Sequence, residues 1–238
     1  IYAEGIYVGY KYYETRYQDE ILGINNATSA KGVYASQNGA WNYADEMVFT
    51  FGAGQSYADF TQELLSVEWD KTTHMVTAQV KVTNNGDETY TGKSKDVVQL
   101  YVQLPYEAGQ AEKSAIQLVD FAKTSALAAG ESETVTIQFS DYIFATYDSN
   151  AVNGADTTKK GAYVFDAGDY YFAIGDDAHD ALNNVMAAKG ITGMYDAEGN
   201  PVDGDAAKTV KDTLTALDNT TYATSQRTGN LVSNIFAD

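Results

Sequence analysis

The sequence predicts a mainly β protein built around an antiparallel β-sandwich. Three observations carry that expectation. From Phe60 onward apolar residues recur with a period of two; the runs are short and rich in Val, Ile, Thr and aromatic residues; and turn residues such as NNGDE and AAGES separate them. The runs are LLSVEWD (64–70), HMVTAQVKVTN (74–84), DVVQLYVQLP (96–105), AIQLVDFAKT (115–124), ETVTIQF (133–139), YIFATYD (142–148) and GAYVFDAGDYYFAIGD (161–176). Seven short strands punctuated in this way are the pattern of a sandwich.

In the second run Val76, Ala78, Val80 and Val82 alternate with Thr77, Gln79, Lys81 and Thr83, so one face should be buried and the other wet. Val98, Leu100 and Val102 alternate with Gln99, Tyr101 and Gln103, and the same division is expected there. The period then changes. In AHDALNNVMAAKG (178–190), Ala181, Leu182, Val185 and Met186 fall at helical spacing and Gly190 can end a helix. Residues 186–238 read as an acidic extension or linker, with a short helix expected near Val210 to Leu217. No internal repeat is visible.

With 238 residues and 44% hydrophobic content the chain has room for one large or two small domains and enough apolar side chains for a core. The formal charge of -18, from 33 acidic and 15 basic residues, repels polyanions, and no basic cluster interleaves with aromatics. Nucleic acid and anionic membrane are therefore excluded as expected partners. The absence of cysteine removes disulfides, thiolate metal sites and cysteine nucleophiles, and leaves the compartment open. Nineteen tyrosines with abundant Asn, Gly and Thr suggest an exported bacterial protein, extracellular or at the cell surface. No apolar stretch approaches the roughly 20 residues that span a bilayer, so any export signal or anchor is expected outside these residues. The opening IYAEGIYVGYKYY starts in mid-pattern, like a cut end.

VFTFGAGQSYADF (48–60) sets Gly52 and Gly54 between aromatic residues, which suits either a ligand loop or a hinge. Several stretches together resemble one family, glycoside hydrolase family 3, whose β-glucosidases are typical. EGIYVGYKYYET (4–15) is similar to a segment late in that family's α/β sandwich domain, and FTFGAGQSYADF stands where the family has FPFGYGLSYTxF. KSAIQLVDFAKTSALAAGESETVTI (113–137) resembles its KQLxGFxKxxLxPGExxxV stretch, and DAGDYYFAIGDDAHD (166–180) the end of its fibronectin type III-like domain. The resemblance runs in family order over roughly residues 1–185.

What the resemblance implies is a C-terminal portion of such an enzyme. The expected organisation is the tail of an α/β sandwich domain with a junction loop (1–58), a fibronectin type III-like, immunoglobulin-like sandwich (59–185) and the acidic extension (186–238). The Gly52/Gly54 loop would then join the two domains; phosphate binding is disfavoured because no helix start or lysine follows. Thr50, Ala53 and Gln55 replace the family's proline, tyrosine and leucine, so a looser junction is expected.

A retaining glycosidase needs a carboxylate nucleophile and a carboxylic acid about 5 Å apart. The family places the first in an SDW-like motif on its barrel and the second commonly in an SEG-like motif, and neither stands in this sequence. Glu131-Ser132-Glu133 lies in a turn entering a strand, and Glu4, although followed by glycine, lies in the non-catalytic segment. No catalytic residue is therefore expected. Asp176-Asp177 reads as a solvated turn. Asp196, Glu198, Asn200, Asp203 and Asp205 offer oxygen ligands at 195–206 without the EF-hand spacing, so a polar loop is preferred to calcium. His74 and His179 have no third ligand at a recognisable spacing and are expected in surface or capping roles. No GxSxG elbow occurs. Neither a metal nor a cofactor is expected.

Trp41 and Tyr43, in GAWNYADE (39–46), are the candidate substrate-binding residues, since aromatic faces stack on pyranose rings. Core packing competes as the reading of Trp41, and Trp69 is assigned to the core or an edge. The expected function is part of a retaining β-glycosidase that hydrolyses terminal β-linked sugars. This chain would supply scaffold, be inactive alone, and have as partners the barrel and the rest of the sandwich domain, in the same or another chain, and the carbohydrate substrate. Some bacterial relatives are permuted, and the tail ending in NLVSNIFAD favours a barrel that follows. The alternative is a stand-alone β-sandwich module that binds carbohydrate or docks a partner.

Overall fold

The structure is a computed structural model that describes residues 5–24, 41–86, 90 and 92–236. Glu4 lies outside them. Its elements are helices α1 (Tyr10–Leu22), α2 (Tyr43–Glu46) and α3 (Ala178–Ala188), and strands β1 (Asp59–Asp70), β2 (Met75–Gly86), β3 (Val97–Gln103), β4 (Gln117–Lys123) and β5 (Ser132–Ser140). There follow β6 (Thr146–Asn153), β7 (Asp156–Val164), β8 (Gly168–Gly175), β9 (Met194–Tyr195), β10 (Pro201–Val202) and β11 (Thr209–Leu214). Among the described residues no helix is long and apolar enough to cross a membrane.

Two antiparallel sheets face each other, β1-β2-β5 and β11-β8-β3-β4, and β6-β7 forms a separate hairpin. The alternation in β2 works as expected. Val76, Ala78, Val80 and Val82 are fully buried, each valine worth roughly 1.5–3 kcal/mol of transfer free energy, while Gln79 and Lys81 stay exposed. Their partners across the sandwich include Leu100, Val102, Phe172 and Ile174. Register keeps these layers aligned, with Leu64 opposite Val80, Val102 opposite Phe172 and Leu100 opposite Ile174. Trp69 belongs to this core, edge-on to Phe144, Phe165 and Tyr170. Its Nε1 donates to the buried carboxylate of Asp141 at 2.9 Å, which also accepts from Tyr222.

Five expectations are corrected here. In β3 the polar alternates are not wet: Gln99, Tyr101 and Gln103 are buried, because helices cover the outer face of that sheet. Residues Val210 to Leu214 form strand rather than helix, pairing with β8 through Val210 opposite Phe172 and Asp212 opposite Tyr170. The stretch read as extension or linker is thus woven into the sandwich, and Tyr222 and Ala223 are buried. YIFATYD begins as a 3₁₀ turn, Asp141–Phe144, capped by the Ser140 hydroxyl, and GAYVFDAGDYYFAIGD divides between β7 and β8.

Candidate functional site

The outer face of β11-β8-β3-β4 holds a second core, made from segments far apart in sequence. Helix α1 places Tyr10, Glu14, Thr15, Tyr17 and Gln18 at the i, i+4, i+5, i+7 and i+8 positions of one face, and it stops at Gly23 in the left-handed conformation with φ of 65°. Helix α3 is started by the Asp177 carboxylate, which accepts the Asp180 N–H at 2.8 Å. Between the helices and the sheet lie Tyr17, Tyr43, Tyr101, Leu182, Val185 and Met186, all fully buried.

This core is fastened by polar groups. His179, 2% exposed, has Nδ1 2.9 Å from Glu14 Oε2 and Nε2 2.8 Å from the Tyr195 carbonyl oxygen. A carbonyl only accepts, so Nε2 carries a proton; the second proton lies between Nδ1 and Glu14. The other Glu14 oxygen accepts from the Tyr43 hydroxyl, and the Tyr43 ring stacks on His179 with centroids 4.2 Å apart. Tyr17 donates to Asn183 Oδ1 at 2.8 Å and accepts from the Tyr195 N–H at 3.0 Å. Burial pushes the Glu14 carboxyl up from its ordinary value. Burial pulls His179 down, but the Glu14 hydrogen bond and charge, with the Tyr195 carbonyl, outweigh it and hold the imidazole above its ordinary value. Both shifts mean that the folded pair retains a proton.

The glycine loop is tied to the same face. A Cβ on Gly52, where φ is 94°, would stand 2.2 Å from Gln99 Oε1 and 2.8 Å from the Tyr101 hydroxyl, so only glycine lets the backbone come this close. Gln99 Nε2 donates to the Gly52 carbonyl at 3.0 Å and to the Asp176 carbonyl at 2.9 Å, and the Ala178 N–H donates to the Phe51 carbonyl at 2.9 Å. Phe51 stacks on Tyr10 at 4.1 Å. Thr50, where the family has proline, donates its hydroxyl to Asp177. These contacts argue against the expected loosening.

The predicted site residues separate. Tyr43 is fully buried against His179 and has no free face for a sugar, so that assignment is corrected. Trp41 is half-buried, with the Arg16 guanidinium 4.8 Å from its ring centroid. His179 is a buried partner of Glu14 rather than a surface or capping residue, and α3 begins one residue before it. His74 sits at φ 58° in the β1–β2 turn with Nδ1 3.2 Å from Asp141. Asp177 is a helix cap bonded to Thr50 rather than a solvated turn residue. Glu131, in the turn, accepts the Ala128 N–H, and Glu133, near the start of β5, accepts the Ser125 N–H. Asp196 spends its carboxylate on the Glu198 and Asn200 N–H groups, and Asp205 caps a 3₁₀ turn. Among the described residues no three His, Cys, Asp or Glu side chains are grouped to hold an ion. Sequence reasoning missed Glu14; its one signal was an acid on the tyrosine-rich face of a possible helix.

Two packed antiparallel sheets define the class of this protein, and a family profile described as a fibronectin type III-like domain matches residues 96–178. The chain is 32% identical over 181 residues to a β-glucosidase of Ruminococcus albus, covering 76% of this chain and 15% of that protein. It is 31% identical over 186 residues to β-glucosidase A of Butyrivibrio fibrisolvens, covering 75% and 19%. A solved β-glucosidase from Paenibacillus barengoltzii aligns over 91% of this chain and 18% of its own, with 31% identity and a TM-score of 0.56. At 21% identity and a TM-score of 0.53, β-glucosidase 3B of Thermotoga neapolitana shares the fold. The chain belongs to glycoside hydrolase family 3, as the portion that carries the fibronectin type III-like domain. It spans only 15% to 19% of the length of the two curated relatives named here.

Proposed function

We propose that this chain is the scaffold portion of a retaining β-glycosidase that hydrolyses terminal β-linked sugars, the catalytic barrel and the rest of the sandwich domain being supplied by residues outside these, in the same or another chain. One observation carries the reading. Among the described residues, eight of the sixteen exposed large apolar side chains lie between Ile6 and Tyr57, with Val48 84%, Phe49 78% and Tyr57 82% exposed. That stretch supplies far fewer than half of the described residues, and it is where a missing domain would pack. The buried carboxylates of Glu14 and Asp141 are spent on internal donors and offer no acid or base to a substrate. Of the two aromatic candidates, Trp41 alone keeps surface for a sugar and is retained in this reading.

A stand-alone module would fold without residues 1–47. Here that truncation would remove α1 and Tyr43, leaving His179 and Tyr101 uncovered, which counts against the alternative. The purified chain is expected not to turn over an aryl β-glucoside, and to gain activity when combined with a polypeptide bearing the barrel. Turnover by the chain alone, in a preparation free of other polypeptides, would overturn the proposal.

A further inference from the structure

Beside the outer core, where the C-terminal end of α1 passes the β3–β4 connection, lies a cleft of about 410 Å³. That volume suits a small ligand. Its walls include Gln18 of α1, Gln103 and Tyr171 of the sheet, Tyr106 and Lys113 after β3, and Lys189 just past α3. Most charges here are already paired. Lys113 is buried against Asp166 at 2.7 Å, and Asp169 accepts from Lys211 at 3.3 Å and from Thr213. Glu107 stands exposed at the rim.

Lys189 differs. The residue is exposed as a whole, yet its ammonium donates to Gln103 Oε1 and lies 4.7 Å from the Tyr171 ring centroid. Among the described residues no carboxylate stands within ion-pair distance of it. Burial pulls its pKa down, with Asp169 acting weakly in the other direction. Gln103 spends its amide hydrogens on Gln18 Oε1 at 2.7 Å and the Ala115 carbonyl at 2.6 Å, so the amide hydrogens of Gln18 carry no protein partner among the described residues. The Lys189 ammonium and the Gln18 amide thus offer donors on the inner wall of the cleft, with the Tyr106 ring also in its lining and Glu107 and Gln110 exposed. In a chain of charge -18 a cleft with surplus donors is a local exception, and general attraction could not draw an anion there.

We propose that this cleft binds an anionic pyranose, a sugar ring bearing a carboxylate at C6, with the ring against Tyr106 and the carboxylate on Lys189 and Gln18. Charge-assisted hydrogen bonds to the carboxylate supply the selectivity, and the aromatic face supplies contact common to all pyranoses. This site is independent of the scaffold reading. The test is titration of the full 238-residue chain, by calorimetry or NMR, with the methyl β-glycosides of glucuronic acid and of glucose, which differ only at C6. The uronide is expected to bind about tenfold tighter or better, with an advantage that shrinks in high salt. Lys189→Gln should erase that advantage without changing the melting temperature, and Tyr106→Ala should weaken both sugars. Equal affinity for the two sugars, no saturable binding of either, or a preference that survives Lys189→Gln would overturn the proposal.

Discussion

On its inner face the four-stranded sheet meets the β1-β2-β5 sheet through Val, Leu, Ile and aromatic side chains, with Asp141 as a buried polar insertion tied to Trp69 and Tyr222. On its outer face the same strands meet α1 and α3 through Tyr17, Tyr43, Tyr101 and a buried Glu14–His179 pair. The inner core is held by area removed from water, which is forgiving of detail. The outer one depends on a few polar groups that must all be satisfied, so losing one partner there costs more than its own contacts.

The largest expected effect comes from breaking that pair. Glu14→Ala leaves His179 buried without its carboxylate and should cost about 3–5 kcal/mol. Hydrogen exchange should localise the damage: protection falls in 10–22 and 178–188 while β2 and β5 keep theirs. Uniform loss across both faces would break the distinction between the two cores.

Gly52→Ala is next. It forces a side chain into a positive-φ position already filled by Gln99 and Tyr101, and should cost about 1–3 kcal/mol in thermal or denaturant melts. A neutral substitution would show that the loop is looser than its contacts imply.

The smallest effect is the pH dependence. His179 is held above its unfolded value, so its contribution is complete below pH about 6.5 and is lost as pH rises through the folded pKa. The upward shift of Glu14 acts in the same sense but over a lower window, which opens near pH 4.5 where the unfolded carboxyl releases its proton. Stability should fall by up to about 1.4 kcal/mol per pH unit in each window, and Glu14→Gln should flatten the slope.

The inner core was legible because a strand buried on one face writes its burial into sequence with period two, as Val76 to Val82 do. Helix α3 was legible from spacing alone. The outer core was not. Gln99, Tyr101 and Gln103 look like a wet face because the covering elements come from residues 10–22 and 178–195, and nothing local to β3 announces them. Strand β11 was missed for a related reason: at the edge of the sheet, with Lys211 and Thr213 paired to Asp169, it needs little apolar patterning. Tyr43 and His179 were misplaced because residues that are usually polar or exposed are buried here by pairing with one another and with Glu14, a relation across more than a hundred residues.

A proton held between Glu14 and His179 fastens the N-terminal segment to the sandwich. The most direct measurement is a pH titration of the histidine ring nitrogens by ¹⁵N NMR, with His74→Gln to assign the two histidines. His179 should have both ring nitrogens protonated at pH 6.5 and lose that state only at higher pH, with the transition shifted down by Glu14→Gln. An imidazole that titrates at or below pH 6.5, unchanged by Glu14→Gln, would contradict it.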